Sequence, residues 1–164
     1  TPLDEMPGPT SDEFRSAMAA MPTAVTVVAA MGPGGPAGAT ANAVSSLSLE
    51  PPLMLACLDR GSRTLAAVRS SGLFSVNVLG AGGEALARSF ASKAPHEEKW
   101  AGIEWDEAHG SPRLRECLAW VACELRDLLD GGDHVIVTGA VLDLAVDDDA
   151  APLVFHHGEY RALS

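Results

Sequence analysis

The sequence lacks the features that mark several common classes of protein. Of its 164 residues only 5% are aromatic, and 11 lysines and arginines stand against 22 aspartates and glutamates. The resulting net charge of −11 repels phosphate backbones and anionic lipid. No stretch approaches the ~20 consecutive apolar residues of a membrane-spanning helix. We therefore expect a protein that binds neither nucleic acid nor membranes.

Cysteine is also scarce. Cys57, Cys117 and Cys123 lie in apolar runs and form no C-x-x-C pair, which indicates buried thiols in a reducing compartment, the cytoplasm. The acidic, proline-containing start of the sequence has neither the basic flank nor the apolar centre of a signal peptide. His156 and His157 are adjacent and would point to opposite faces of a strand, so no metal site is expected.

Motifs for phosphate binding and nucleophilic catalysis are missing as well. The sequence has neither a G-x-x-x-x-G-K-[ST] loop nor a G-x-S-x-G elbow, and no catalytic triad or carboxylate dyad is evident. Gly32, Gly34 and Ala37 fit G-x-G-x-x-A, but prolines intervene and a strand pattern follows in place of a helix. This stretch is therefore predicted to be a hairpin turn.

The chain does contain a succession of short β-rich segments. Strands are predicted over 23–31, 37–44, 53–58, 73–79, 118–129, 134–146, 153–155 and 159–163. Helices are predicted over 11–21, with a Thr10–Glu13 capping box, and over 83–92. A third is predicted from the cap Ser62 to Arg69, closed by Gly72. Residues 45–50 and 93–112 are predicted to be irregular, with His96 and His109 solvated. Hairpins outnumber βαβ units, which predicts an antiparallel barrel with short helices.

Two polar segments and one histidine are candidates for ligand binding. Residues 40–52 offer short hydroxyls, an amide and backbone N–H groups, which suit a planar ring with carbonyls but equally a serine-rich turn without function. Asp59–Thr64 adds two hydroxyls and two guanidinium groups at a helix start, either an anion site or a plain cap with surface arginines. His134, at a hairpin tip, either points into a cleft or is exposed.

These segments together resemble the flavin reductase family with the FMN-binding split-barrel fold. The resemblance is to the short-chain reductase components of two-component flavin monooxygenases. It spans nearly the whole chain and is carried by the segments 14–18, 23–28, 40–53 (TANAVSSLSLEPPL), 72–79, 90–91, 132–134 and 152–160. It implies a mainly β, antiparallel, Greek-key-like split barrel, with one domain over 11–164 behind a flexible arm over 1–10.

The resemblance also implies a set of site residues. The flavin ring would lie against Thr40, Ala41, Asn42, Ala43, Ser46 and Ser48, and the flavin phosphate against Ser62, Arg63 and Thr64, with Lys99 nearby. His134 would be the catalytic residue that faces the nicotinamide, and Tyr160 would close the pocket. Ala24 and Ala43 replace a glycine and a serine that are usual in the family, so one hydrogen bond to the ring would come from backbone or water.

The implied activity is hydride transfer from NADH, or alternatively NADPH, to FAD or FMN. Such transfer needs stacked rings about 3–3.5 Å apart and no protein nucleophile, which agrees with the missing triad. A cytoplasmic homodimer would supply reduced flavin to a partner monooxygenase in aromatic degradation or antibiotic biosynthesis. Two alternatives stay open: a non-catalytic flavin or haem carrier with His134 or His156 as axial ligand, and a pyridoxamine-phosphate-oxidase-like enzyme that retains FMN.

Overall fold

The fold is an antiparallel β-structure with short helices, seen in a computed structural model that describes residues 7–163. The helices are α1 (Ser11–Ala19), α2 (Arg63–Ser71), α3 (Glu84–Ala91) and α4 (His96–Trp100). The strands are β1 (Thr23–Ala24), β2 (Thr26–Gly32), β3 (Gly35–Ala41), β4 (Val44–Leu49), β5 (Pro52–Asp59), β6 (Leu73–Leu79), β7 (Trp105–Ala108), β8 (Ser111–Leu114), β9 (Cys117–Gly131), β10 (His134–Val146), β11 (Leu153–His156) and β12 (Glu159–Ala162). Most of the predicted arm, residues 1–6, lies outside the described residues, as does residue 164.

The main sheet curls into an open barrel. Its seven strands run in the order β3-β2-β6-β9-β10-β5-β4, and all pairings are antiparallel. Six of these strands send buried side chains into one cluster, which includes Val28, Ala41, Leu58, Phe74, Cys123 and Val137. A flat sheet could not bring its two ends into one core, so the sheet must curve, and α2 fills the opening with Leu65 and Val68. The predicted antiparallel barrel is confirmed.

A second core covers the outer face of β2 and β6. Val27 and Leu79 pack there against Phe90 of α3 and Trp100 of α4, whose rings meet edge to face at 5.0 Å. A Cβ atom at Gly38 of β3 would lie 2.8 Å from Phe90 Cε1, so only glycine lets this strand approach the aromatic pair. A smaller sheet, β1-β11-β12, completes this outer layer.

A buried polar network ties the β7–β8 hairpin to the barrel. The side-chain amide of Asn77 donates to the Val27 carbonyl (3.2 Å) and to Ser75 Oγ (3.1 Å), while its oxygen accepts from the Leu114 N–H (2.9 Å). Ser75 in turn donates to the Pro112 carbonyl. Both side chains are fully buried, so every polar atom here depends on a protein partner. Asn77 thereby joins β2, β6 and β8.

Helix α1 forms as predicted but packs differently. Thr10 and Glu13 make the reciprocal capping-box hydrogen bonds, at 2.7 and 3.2 Å. The predicted helix over 11–21 ends at residue 19, and none of its residues is buried: Phe14 is 59% exposed and Met18 44%. Its C-terminal carbonyl accepts from the His157 N–H (2.9 Å). The apolar face of α1 is therefore uncovered in the single chain.

Two segments predicted to be irregular are regular. Residues 45–50 belong largely to β4, because an edge strand tolerates serines whose hydroxyls face solvent while the backbone pairs with β5. Residues 93–112 contain α4, β7 and the start of β8, which tertiary contacts such as the Asn77–Leu114 hydrogen bond stabilise. No described helix has the length and apolar character needed to cross a membrane.

The expectation for the adjacent histidines is also wrong. His157 has a positive φ of 49° and lies in the turn after β11, so the alternation of a strand does not apply to it. Its ring centroid lies 4.0 Å from that of His156. The described residues nevertheless contain no cluster of three or more potential metal ligands.

Candidate active site

The start of α2 is a helix end capped by the side chain of Ser62. Ser62 Oγ accepts from the N–H groups of Thr64 (3.1 Å) and Leu65 (3.3 Å), which confirms the predicted cap. Gly72, which is predicted to close this helix, ends it in the left-handed conformation. Because the N-terminal end of a helix carries positive partial charge, this position favours an anion.

Two cationic side chains, those of Arg63 and Lys99, and one histidine, His96, gather beside this helix end. Arg63 donates to the Ala94 carbonyl (2.8 Å), which holds the segment before α4 against α2. Lys99 is only 6% exposed and donates to the Phe90 carbonyl (3.3 Å). Burial, and secondly the charge of Arg63, hold the pKa of Lys99 below its usual value, and the same two causes lower the pKa of His96. A bound anion would relieve the mutual repulsion of this cluster.

The β5–α2 loop links the helix end to the β9–β10 hairpin. Arg60 donates its backbone N–H to the Asp133 carbonyl (3.1 Å) and its side-chain Nε to the Gly132 carbonyl (2.6 Å). His134 pairs with Asp59 across β10 and β5. The structure thus brings the predicted catalytic histidine and the predicted phosphate-binding loop to one end of the barrel.

His134 is held by its neighbour in the turn. Its Nδ1 lies 2.7 Å from Asp133 Oδ1, and this hydrogen bond holds the pKa of Asp133 below its usual value. An ionised carboxylate only accepts, so Nδ1 carries the proton and Nε2 is left as the second polar atom of the ring. The side chain is 44% exposed, so Nε2 can meet a ligand.

The β3–β4 junction contains a buried acceptor without a donor. Asn42 Oδ1 is shielded from solvent and has no hydrogen-bond partner in the described part of the chain. Leaving such a group unpaired costs about 1–3 kcal/mol. The neighbouring Ala43 is exposed, and its carbonyl accepts from the Cys57 N–H of β5 (2.9 Å). The junction is therefore fixed to the strand that leads into the α2 loop.

A bulge follows this junction in β4. Ser46 pairs with Met54 and Ser48 with Leu53, so the intervening Leu47 has no partner residue on β5. Ser46 is exposed and Ser48 half-buried. A bulge turns backbone groups away from the ladder, and here it offers them to a ligand along the outer edge of β4.

The side chains of three other residues predicted to contact the flavin ring or to close its pocket make contacts within the protein. Thr40 donates its hydroxyl to the Ala87 carbonyl of α3 (2.6 Å), and Ala41 is 7% exposed in the barrel core. Tyr160 lies in the outer layer, where its ring contacts Phe155 and stacks under the Arg88 guanidinium at 5.0 Å. Its predicted role at the pocket finds no support in these contacts.

Sequence reasoning missed a cavity beside the basic cluster. It measures about 390 Å³ and lies between α2, α4 and the turn that joins β2 to β3. His96 lines it, and both of its ring nitrogens are shielded from solvent, so the prediction of a solvated side chain is wrong. The only available signal was the proximity of His96 to Lys99 in sequence.

Comparison with known proteins gives consistent matches. The chain is 38% identical over 151 residues to the reductase subunit HsaB of a flavin-dependent monooxygenase from Rhodococcus jostii, covering 92% of this chain and 76% of that protein. It is 44% identical over 146 residues to a flavin reductase (NADH) of Kitasatospora aureofaciens, covering 86% and 75%. The fold matches the NADH:FAD oxidoreductase SgcE6 of Streptomyces globisporus C-1027 with a TM-score of 0.89, at 31% identity over 98% of each chain. SgcE6 has also been solved in complex with NAD and FAD fragments.

These matches agree with the antiparallel barrel described above. The family model for the flavin reductase like domain matches residues 18–164. The chain belongs to the flavin reductase like family.

Proposed function

We propose that the protein is an NADH-dependent flavin reductase that reduces FAD or FMN and releases the reduced flavin to a flavin-dependent monooxygenase. The observation that carries the proposal is the cation cluster of Arg63 and buried Lys99 at the capped start of α2. The names of the relatives, a NADH flavin reductase and a monooxygenase reductase subunit, support it.

The residues present fit a bound flavin. Its phosphate would be held by the N-terminal end of α2, by Arg63 and by Lys99. An N–H group of the flavin ring would donate a hydrogen bond to Asn42 Oδ1. Backbone N–H groups at the β4 bulge would bind the carbonyl groups of the ring. The flavin itself supplies the hydride acceptor, and the protein contributes position and electrostatics rather than a nucleophile.

The function is tested by mixing the purified protein anaerobically with NADH and either FMN or FAD. We expect NADH oxidation that requires added flavin, together with bleaching of the flavin absorbance, and faster turnover with NADH than with NADPH. Gel filtration distinguishes the flavin reductase from a pyridoxamine-phosphate-oxidase-like enzyme. Flavin that stays fully bound to the protein favours the oxidase-like enzyme, and flavin that is lost from the protein favours the reductase. Absence of NADH oxidation with both flavins would overturn the proposal.

His134 is the residue we expect to contact the nicotinamide. The substitution His134→Ala is expected to raise the KM for NADH by roughly 10-fold, about the free energy of one hydrogen bond, with a smaller effect on the KM for flavin. Steady-state kinetics with each substrate varied in turn measures the two constants. Asp133→Asn, which alters only the residue that orients the ring, is the matched control and should give a smaller change. Equal increases in both KM values would remove the assigned role.

We further propose a cytoplasmic homodimer. The uncovered apolar face of α1, with Phe14 and Met18 each more than two-fifths exposed, continues into the exposed Met21 just after the helix. A second copy could bury this surface. All three cysteines are unpaired, and burial raises the pKa of the Cys123 thiol to about 12, which suits a reducing compartment. The organic substrate of the partner monooxygenase, in aromatic degradation or antibiotic biosynthesis, stays a prediction.

A haem carrier has less support from the candidate axial ligands. His134 is hydrogen-bonded to Asp133, and His156 Nε2 lies 3.2 Å from the Ala20 carbonyl at the end of α1. The cation cluster of Arg63 and Lys99, by contrast, suits the phosphate of a flavin nucleotide.

A further inference from the structure

Two opposite walls of the cavity beside the basic cluster consist mostly of small residues. Arg63, Ala66, Ala67 and Ser70 form its α2 wall, and their spacing of three to four residues places them on one helix face. The opposite wall is the turn over 32–37, which contains only glycine, proline and alanine. Its volume of about 390 Å³ lies within the ~300–1,000 Å³ range of small-molecule sites. Such walls suit a flat ring.

Polar atoms at the α4 end of this cavity have no partner. Trp100 Nε1 and both nitrogens of His96 are shielded from solvent and unbonded within residues 7–163. Burial and the nearby Arg63 keep His96 neutral by lowering its pKa, so the ring has one donor and one acceptor. Rotation of this ring toward the cavity would pair it with a ligand edge that alternates donors and acceptors. Adenine presents such an edge in its amino group and adjacent ring nitrogen.

The position of the cavity relates it to the rest of the site. Arg63 belongs both to its wall and to the cation cluster at the start of α2. Pro36, which lines the cavity, is six residues along the chain from Asn42 at the β3–β4 junction, about 20 Å at ~3.3 Å per residue. A ligand that reaches from the junction past the cations into the cavity therefore needs two nucleotide units.

We propose that this cavity binds the adenosine end of a dinucleotide whose phosphates contact Arg63. The inference rests on the proposed function, because it uses the same cation cluster for the phosphates. FAD and NADH both carry adenosine on a pyrophosphate, whereas FMN carries none. The affinity for FMN therefore depends only on the positions that bind the ring and the phosphate. The affinities for FAD and NADH also depend on the cavity.

Filling the cavity tests the assignment. Ala66 is exposed on α2 and lines the cavity, so Ala66→Trp occupies the space without entering the barrel core. We expect the dissociation constant for FAD, measured by flavin fluorescence, to rise at least 10-fold, with the constant for FMN unchanged. In the unmodified protein, ADP should compete with FAD more strongly than with FMN. Ala85→Trp, the same change at an exposed position of α3 outside the cavity, is the matched control.

The possible results separate the two sources of adenosine. Selective loss of FAD affinity assigns the cavity to FAD, and a selective rise in the KM for NADH, with FMN as acceptor, assigns it to NADH. Equal losses for FMN and FAD, or no change in any constant, would overturn the proposal. Ser70→Trp, one turn along the same wall, repeats the test if Ala66→Trp does not fold. Failure of the unmodified protein to reduce FMN would instead contradict the proposed function itself.

Discussion

The substitution Ser62→Asp is expected to keep the protein folded while it weakens the binding of FMN and FAD by at least about 100-fold. Aspartate caps helices as well as serine does, and a carboxylate at this end also interacts favourably with the helix dipole. The fold should therefore tolerate the change. A phosphate about 4 Å from the new carboxylate, however, meets repulsion of about 4 kcal/mol at an effective dielectric constant of ~20. Partial solvent screening reduces this to the expected 100-fold, about 2.7 kcal/mol.

The test combines two measurements on matched variants. Thermal unfolding should give Ser62→Asp a Tm close to that of the unmodified protein, while fluorescence titration shows the loss of flavin affinity. Ser62→Asn also preserves the cap but adds no charge, so it should lose much less affinity. Ser62→Ala removes the cap acceptor for Thr64 and Leu65 and should lose about 1 kcal/mol of stability as well. Unchanged flavin affinity in Ser62→Asp would show that the flavin phosphate does not bind at the start of α2.

The elements that the sequence predicts well are those with local signals. Ser62 and Gly72 bound α2 because capping chemistry and left-handed glycine act within one turn of the helix. The strand over 73–79 matches β6 at both ends. The family resemblance assigns residues 62–64 to one phosphate site with Lys99 nearby, and in the structure the charge of Arg63 acts on Lys99. Their contacts with flavin stay predictions.

The features that the sequence does not predict depend on distant contacts. β4 reads as a serine-rich turn, because nothing local indicates that β5 will pair with it. His96 reads as solvated, because its burial comes from packing between α2 and the β2–β3 turn. In both cases tertiary structure overrides a local polarity pattern. The role of Tyr160 at the pocket is implied by the family resemblance alone; its ring lies under Arg88 of α3, and that role stays a prediction.

The polar centre of β6 leads to the second large prediction. Asn77→Ala is expected to lower the free energy of unfolding by about 3 kcal/mol, because it leaves the Leu114 N–H buried without a partner and removes the side-chain bond to the Val27 carbonyl. The orphaned N–H costs about 1–3 kcal/mol, and the lost volume adds a small cavity. The effect exceeds that of an ordinary surface substitution because three strands share this one side chain.

Urea denaturation followed by intrinsic fluorescence measures this change. Ser75→Ala is the matched control, since it removes the bond to the Pro112 carbonyl, a longer contact with the Ala29 carbonyl (3.5 Å) and one acceptor for Asn77. We expect a loss of about 1–2 kcal/mol. Asn77→Asp should be destabilised most near neutral pH, where a charged carboxylate would face the Val27 carbonyl, and should recover as acid protonates it. The pKa of the introduced carboxyl group would be higher in the folded than in the unfolded protein, because burial disfavours its charged form. Protonation as the pH falls gives the group a hydrogen-bond donor again, and the stability of the variant rises. An Asn77→Ala loss no larger than that of Ser75→Ala would show that water, rather than Asn77, satisfies the Leu114 N–H.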